Sequence, residues 1–435
     1  MSKKNFKKGD SKVLNAWAFY DWANSVYPLV ISSSVFPIYY GALFLDSLYI
    51  DVFGFNFKNT ALISFLTAFA FIILSFITPL LSGIADYMGN KKTFLKFFCY
   101  SGSISCMGLY WFDLENIYLG LFFYFLALIS FWASLVFYNA YLPEIAHKEQ
   151  QDYISAKGYA FGYVGSVILL IFNLAMVMSP NTFGITGINP ELTAMKYSFI
   201  TVGIWWIACS QYTFYYLPIT KQKRKIIKDV IFNGFKELKE VWDELKEIII
   251  IKKFLIAFFI YSSALQTVLL IATYFGEQEI IWKEGEKTSG LIISILLIQL
   301  IAILGAMLTA KLSKKIGNIH ALVILNLIWA FLCFGAFFIT KPYEFYVAAG
   351  LVGMVMGGIQ ALSRSTFSKM IPKTDNPTSY FSFFDVSQKV SIVFGMTLFA
   401  FFDQITGSMR VSILVFVLIF LLGAFLLNRI KIKNV

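Results

Sequence analysis

Asp385 and Lys389 stand four residues apart in a run, 379–402, that is otherwise uncharged. On a helix that spacing puts acid and base on one face, with the acid N-terminal. Asp21 and Asn24, three apart, share a face in the same way. They sit in an aromatic frame of Trp17, Tyr20, Trp22 and Tyr27. Arg364 closes a long apolar run inside Leu362-Ser363-Arg364-Ser365. Asn139 stands just before Pro143 and Glu144, and Gln266 and Gln299 are lone amides among aliphatic residues. A carboxylate in such a place can hold a proton, a cation or a substrate ammonium. A guanidinium can clamp a substrate carboxylate through two parallel hydrogen bonds.

The elements that must position these groups follow from composition. Of 435 residues, 58% are hydrophobic and only 14% charged, and mean hydropathy is +0.70. Soluble domains carry about 25% charged residues, so a soluble enzyme, a disordered chain and a disulfide-rich module are excluded. Runs of about 20 apolar residues read as spanning helices. Twelve are expected, near 16–45, 60–82, 93–112, 117–142, 156–179, 194–217, 254–275, 289–312, 319–340, 343–364, 379–402 and 411–429. Pro28 and Pro37 predict a kink or break in the first. The fold class is therefore an all-α integral membrane protein. A charge in mid-membrane costs roughly 2.5–3.5 kcal/mol or more, which is why the polar groups above are candidates. Each keeps a plainer reading. Asp21 could pair with a loop lysine at the interface, Asp385–Lys389 could be a static pair, and Arg364 could be an interfacial anchor.

The net charge of +11 is not read as nucleic-acid affinity; its distribution matters instead. With the N-terminus inside, inner segments hold 29 basic residues and outer loops six. Such a split favours both termini in the cytoplasm, and a multi-pass protein of a bacterial cytoplasmic membrane. The lysine-rich start and the long run behind it read as an uncleaved first span. The largest inner loop, Lys221 to Lys253, repeats Ile227, Ile231, Phe235, Leu238, Val241, Leu245 and Ile248 at helical spacing. It predicts an amphipathic connector helix along the headgroups or under the bundle. The expected organisation is a six-helix bundle over 1–218, a connector over 219–253 and a second six-helix bundle over 254–435.

The two bundles echo one another. Ser82–Lys92 (SGIADYMGNKK) and Ala310–His320 (AKLSKKIGNIH) align Gly89-Asn90 with Gly317-Asn318 at an offset of 228, and FYNAYLP pairs with TFSKMIP at 229. Duplicated halves meeting at the bilayer midplane are a common plan for secondary transporters. Gly89 permits a tight turn between the second and third spans. Asp86 could accept N–H bonds from a nearby helix start or pair with a cation, with Lys91 and Lys92 beside it. Gly158, Gly162 and Gly165 read as a close-packing stripe, as do Gly353, Gly357 and Gly358.

The stretch Gly83–Lys92 resembles the loop 2–3 signature of the major facilitator superfamily, with Ser82 and Asn90 departing from it and Lys314 replacing the acid in the second half. YDWANSVY (Tyr20–Tyr27), NAYLPEI, SAKGYAFGYVG, GGIQALSRSTFSKMIP and TGSMR are similar to the vacuole-effluxer-like branch, which includes the autophagy-related amino acid effluxers and bacterial members. The resemblance implies a twelve-span facilitator, and a gate latch at Asp86, Gly89, Lys91 and Lys92. Amino acids are the first substrate guess.

The function expected is secondary transport of a small polar solute by alternating access. Candidate binding or coupling residues are Asp21, Asn24, Tyr27, Asn139, Gln266, Arg364, Asp385 and Lys389, with protons the candidate coupling ion. A sugar or drug exporter of the same fold, or a non-transporting receptor or assembly protein, is the alternative. No GxxxxGK[ST] or HExxH occurs, two histidines cannot form a histidine metal cluster, and the four cysteines read as small hydrophobes. No cofactor, catalytic residue or metal is expected. The partners are the solute and the lipid bilayer, and a monomer is anticipated.

Overall fold

The computed structural model describes residues 7–44, 49–52, 54–219, 230–283, 286–374 and 376–430. Helix α1 (Ser11–Asn24) begins where the Asp10 carboxylate accepts the Lys12 N–H at 2.8 Å. Pro28 has no N–H to donate to the Asn24 carbonyl, and α1 ends there. Tyr27–Ser32 winds as a π-helix, Ser33 Oγ donates to the Pro28 carbonyl at 2.9 Å, and α2 (Val35–Leu43) resumes the span. The expected break is thus present, and its cause is a missing donor.

An antiparallel hairpin of β1 (Tyr49–Val52) and β2 (Phe55–Lys58) follows, turning at Gly54, whose φ of 79° lies in the left-handed region. The apolar runs predict no strand there. The first half continues with α3 (Asn59–Met88), α4 (Lys91–Gly108), α5 (Ile117–Asn139), the short α6 (Leu142–Ile145), α7 (Lys148–Met178) and α8 (Pro190–Tyr216). Next comes α9 (Val230–Glu247). The second half is α10 (Ile249–Glu279), α11 (Lys287–Ile316), α12 (Asn318–Ala336), α13 (Pro342–Met370), α14 (Pro377–Thr406) and α15 (Met409–Asn428).

Among the described residues, eleven helical segments are long and apolar enough to cross a bilayer. The twelfth member of the bundle, α4, carries Lys91, Lys92 and Lys96 in its first two turns and Ser101, Ser103 and Ser105 further on. It is packed between α5 and α8. Ser103 and Ser105 are buried, and Ser105 returns its hydroxyl to the Ser101 carbonyl at 2.7 Å, so protein rather than lipid surrounds them. Phenylalanines 65, 69, 76, 97, 122, 331, 338, 401 and 425 point outward, the apolar surface that acyl chains require.

One apolar core joins residues from Val13 to Leu217. A second joins residues from Val241 to Ile430, with Val136, Ala140 and Tyr163 reaching in from the first half. Both matched turns place a glycine at positive φ, Gly89 at 65° and Gly317 at 84°, where an L side chain is strained. Gly353 and Gly357 of α13 pack against α11, where an added Cβ would stand 2.4 Å from the Ile298 and Ala302 carbonyl oxygens. Cys99, Cys106 and Cys333 are buried free thiols, and Cys209 is half-buried.

The connector helix α9 packs on α3, with contacts to α10 and α14. Val241 and Leu245 of its apolar stripe are buried, while Phe232 and Phe235 are exposed. Ile227, the first position of that stripe, lies outside the described residues.

Candidate functional site

Arg364, near the end of α13, is 4% exposed. Its guanidinium crosses from the second half of the chain into the first. NH1 and NH2 both donate to Asp21 Oδ2 of α1 at 3.2 Å. Nε donates to Ser155 Oγ at 2.9 Å, NH2 to the Ser155 carbonyl at 2.9 Å, and NH1 to Asn139 Oδ1 at 3.4 Å. Three rings pack around the cation, Tyr159 at 4.3 Å, Trp17 at 4.9 Å and Tyr138 at 5.5 Å from the guanidinium carbon to each centroid. Asp21 Oδ2 also accepts the Tyr138 hydroxyl at 2.9 Å.

Backbone geometry makes room for this. A Cβ on Gly158 would sit 2.4 Å from Asp21 Oδ2 and 3.1 Å from Arg364 NH2. Gly162 faces Ser25 and Gly165 faces Trp22 in the same close way. The stripe packs α7 onto α1, as expected, and its first member also houses the ion pair.

Two further polar junctions join the halves at the same end of the bundle, where α1 begins and α15 finishes. At the start of α7, Asp152 accepts Lys369 Nζ at 2.5 Å, Asn318 Nδ2 at 2.8 Å and Ser313 Oγ at 3.3 Å. At the end of α3, Asp86 accepts two backbone N–H groups of the first turn of α14, Thr378 at 3.3 Å and Ser379 at 2.7 Å. A carboxylate there meets the positive end of the helix dipole and two orphan donors together. Beneath them α9 touches α14: Tyr380 donates to Glu244 at 2.5 Å, Asn376 donates to Glu237 at 2.8 Å, and Trp242 lies 5.3 Å from Phe383.

Asp385 and Lys389 pair within α14, and Lys389 is wholly buried. Lys389 Nζ also reaches Thr78 Oγ1 on α3 at 3.5 Å, next to Pro79 within that helix. The pair therefore lies where α3 and α14 meet.

The other predicted residues separate. Asn139 joins the Arg364 cluster. Asn24 is buried below Asp21, and its Nδ2 has no hydrogen-bond partner among the described residues. Tyr27 packs on Phe131 and Trp206 inside the first half. Gln266 is half-buried on α10. Lys91 pairs with Glu144 and Lys92 donates to the Leu217 carbonyl at 2.6 Å. Of the loop 2–3 group, Asp86 reaches the other half, whereas both lysines bind within their own.

Sequence reasoning missed Asp152, Lys369, Ser155, Tyr138 and Tyr159. Asp152 lies in HKEQQDY, where it looks like an ordinary loop acid, and Lys369 counts simply as one more inner positive charge. Tyr138 lies inside FYNAYLP and Tyr159 inside SAKGYAFGYVG, segments already singled out. Their spacing from Trp17 exists only in three dimensions.

Comparison with known proteins fits this architecture. The family model described as "Vacuole effluxer Atg22 like" matches residues 9–434. The chain is 29% identical over 419 residues to the uncharacterized MFS-type transporter YxiO of Bacillus subtilis, covering 96% of this chain and 94% of that one. It is 23% identical to autophagy-related protein 22-1 of Phaeosphaeria nodorum, covering 81% and 73%. Among solved structures, the major facilitator transporter FucP in its outward conformation superposes with a TM-score of 0.70 at 16% identity, covering 98% and 99%. The proton:xylose symporter XylE does so with 0.70 at 12%, covering 97% and 95%. The chain is a multi-pass membrane protein with the twelve-helix major facilitator fold, and it belongs to the vacuole effluxer Atg22-like family, whose members are transporters rather than enzymes.

Proposed function

We propose that this protein is a secondary transporter that carries a small polar solute by alternating access, with amino acids the first substrate class. One observation carries the reading: a buried guanidinium from one half is held by a carboxylate, an amide and a serine from the other. A buried pair contributes little net stability over well-packed apolar groups, yet separating it is expensive. Such a pair is suited to a contact made in one state and replaced in another. With Asp86 and Asp152 beside it, it closes the end of the bundle that carries both termini. On the positive-inside distribution that end faces the cytoplasm, and the protein resides in a bacterial cytoplasmic membrane. The two bundles, 1–218 and 254–435, move against each other with 219–253 between them.

Asp385 is the candidate coupling carboxylate. Its partner is one turn away on the same helix, so protonation would free Lys389 to move relative to Thr78. The resemblance to amino acid effluxers supports the substrate class, and the shared fold with a proton symporter supports coupling. The test is flux in proteoliposomes with imposed pH gradients, over amino acids, dipeptides and sugars. Expected are saturable amino acid flux driven by the gradient and its loss in Arg364→Ala. A chain that binds solutes with no net movement of any of them would leave only the receptor alternative.

A further inference from the structure

The Arg364 cluster is divided unevenly between the halves. Asp21, Asn139, Ser155, Trp17, Tyr138 and Tyr159 all belong to α1, α5 and α7 of the first half; the second half supplies the cation and one acceptor, the Ala361 carbonyl, which takes the Ser155 hydroxyl at 2.7 Å. The box is also wired internally. Trp17 Nε1 donates to the Tyr138 carbonyl at 2.9 Å, and the two rings stack at 4.5 Å with 13° between planes. Tyr138 donates its hydroxyl to Asp21, and Thr213 of α8 ties down the α1 backbone through the Ala16 carbonyl at 2.7 Å. None of these contacts involves Arg364. Withdrawing the arginine therefore leaves a standing box with three aromatic faces and a carboxylate that has lost its counter-charge.

We propose that this box is a receptor for an organic cation, of guanidinium or alkylammonium type, which Arg364 occupies when the terminal end is closed and the solute's cationic group occupies when it opens. The proposal rests on the alternating-access reading and names the part of the solute that reads the site. The chemistry favours such a cation over a metal ion. Aromatic faces attract weakly hydrated, polarisable cations, and a guanidinium is less strongly hydrated than a compact ion. Asn139 Oδ1, Ser155 Oγ and the Ser155 carbonyl add acceptors at the spacing that an N–H-bearing cation needs. Solute and arginine then compete for one place, so binding the solute favours the open state through its differential affinity.

The experiment is chemical rescue on the purified full chain with methylguanidinium, and with methylurea as the uncharged isostere. In Arg364→Ala the box is permanently vacant, and methylguanidinium should raise the melting temperature saturably while methylurea does not. The rise should vanish when Trp17→Leu and Tyr159→Leu are added. If Arg364→Ala does not fold, Arg364→Gln carries the same comparison. In the otherwise native chain, Ala306→Cys reports opening, because Ala306 is fully buried against Ala156 and Ala361 at the junction of the halves. Methylguanidinium at about ten times its dissociation constant should raise a small open population, and hence the alkylation rate, about tenfold. Equal responses to methylguanidinium and methylurea, or none to either, overturn the receptor. Both readouts are free of flux. Rescue without transport of any solute would leave the box standing and remove the transporter reading; flux without rescue would do the reverse.

Discussion

Both terminal nitrogens of Arg364 converge on a single oxygen, Asp21 Oδ2, each at 3.2 Å. The other carboxylate oxygen is not part of this fork, and Oδ2 takes a third bond from Tyr138. The charge pairing between Arg364 and Asp21 thus rests on one oxygen atom. Arg364→Gln and Asp21→Asn should each destabilise the chain by about 3–5 kcal/mol, the cost of stranding a buried charge. The double variant should recover much of that loss. A thermal double-mutant cycle measures it, and additive losses would mean that the pair is not coupled.

Gly158→Ala should act on the same pair without touching its charges. The new methyl would stand 2.4 Å from the Asp21 oxygen, and overpacking of this kind costs roughly 1–3 kcal/mol. Expected are a lower melting temperature and faster alkylation at Ala306→Cys. Gly335→Ala, where an added Cβ meets nothing within 4 Å, is the control that should change neither.

Asp86→Asn keeps the shape of the α3–α14 junction but removes the charge facing the α14 N-terminus. The loss should be about 0.3–1 kcal/mol, rising toward ~2 kcal/mol for partly buried geometry, and should bear on the closed state. Alkylation at the terminal end should speed up, with little change in the reactivity of a cysteine placed in the β1–β2 hairpin. A uniform loss of stability instead would assign Asp86 to packing.

For Asp385 and Lys389, charge and coupling can be separated. Lys389→Met alone strands the Asp385 carboxylate and should be poorly folded, whereas Asp385→Leu with Lys389→Met should be tolerated. Asp385→Leu with Lys389→Met should retain exchange of labelled for unlabelled solute while losing accumulation driven by a pH gradient. Gradient-driven uptake that survives in that double variant would exclude Asp385 as the coupling group.

Trp242→Ala removes a ring that rests on Phe383, and Tyr380→Phe removes the bond to Glu244. If α9 braces the closed end, the two together should accelerate opening as read at Ala306→Cys. Unchanged kinetics would make α9 a passive tether.

The helices were legible in the sequence because apolar runs of fixed length have few alternatives in a bilayer. Even α4, the least apolar of the twelve, was visible as a run between lysines and Trp111. The hairpin was not, since its alternation, Phe55 and Phe57 against Asn56 and Lys58, is too short to stand out beside runs of about 20 apolar residues. In the site, Asp21, Asn139 and Arg364 could be picked out one by one from the cost of placing polar groups among apolar ones. Their meeting could not: Asp21 and Arg364 are 343 positions apart, and no local spacing encodes a contact between bundles. Asp152 escaped for the opposite reason. It lies among loop charges, where a carboxylate looks inexpensive until a partner from α11–α13 buries it.

The repeat carries a further consequence. At the 228 offset Asp86 corresponds to Lys314, and Asp152 to Tyr380. Asp86 of one copy meets the start of α14, while the start of α7 presents an acid to Ser313, beside Lys314. Two first halves docked face to face would set Asp86 against Asp152, acid on acid. The duplicates have become lock and key, the first half repelling its own twin, so a first half expressed together with the second should pair with it in preference to itself.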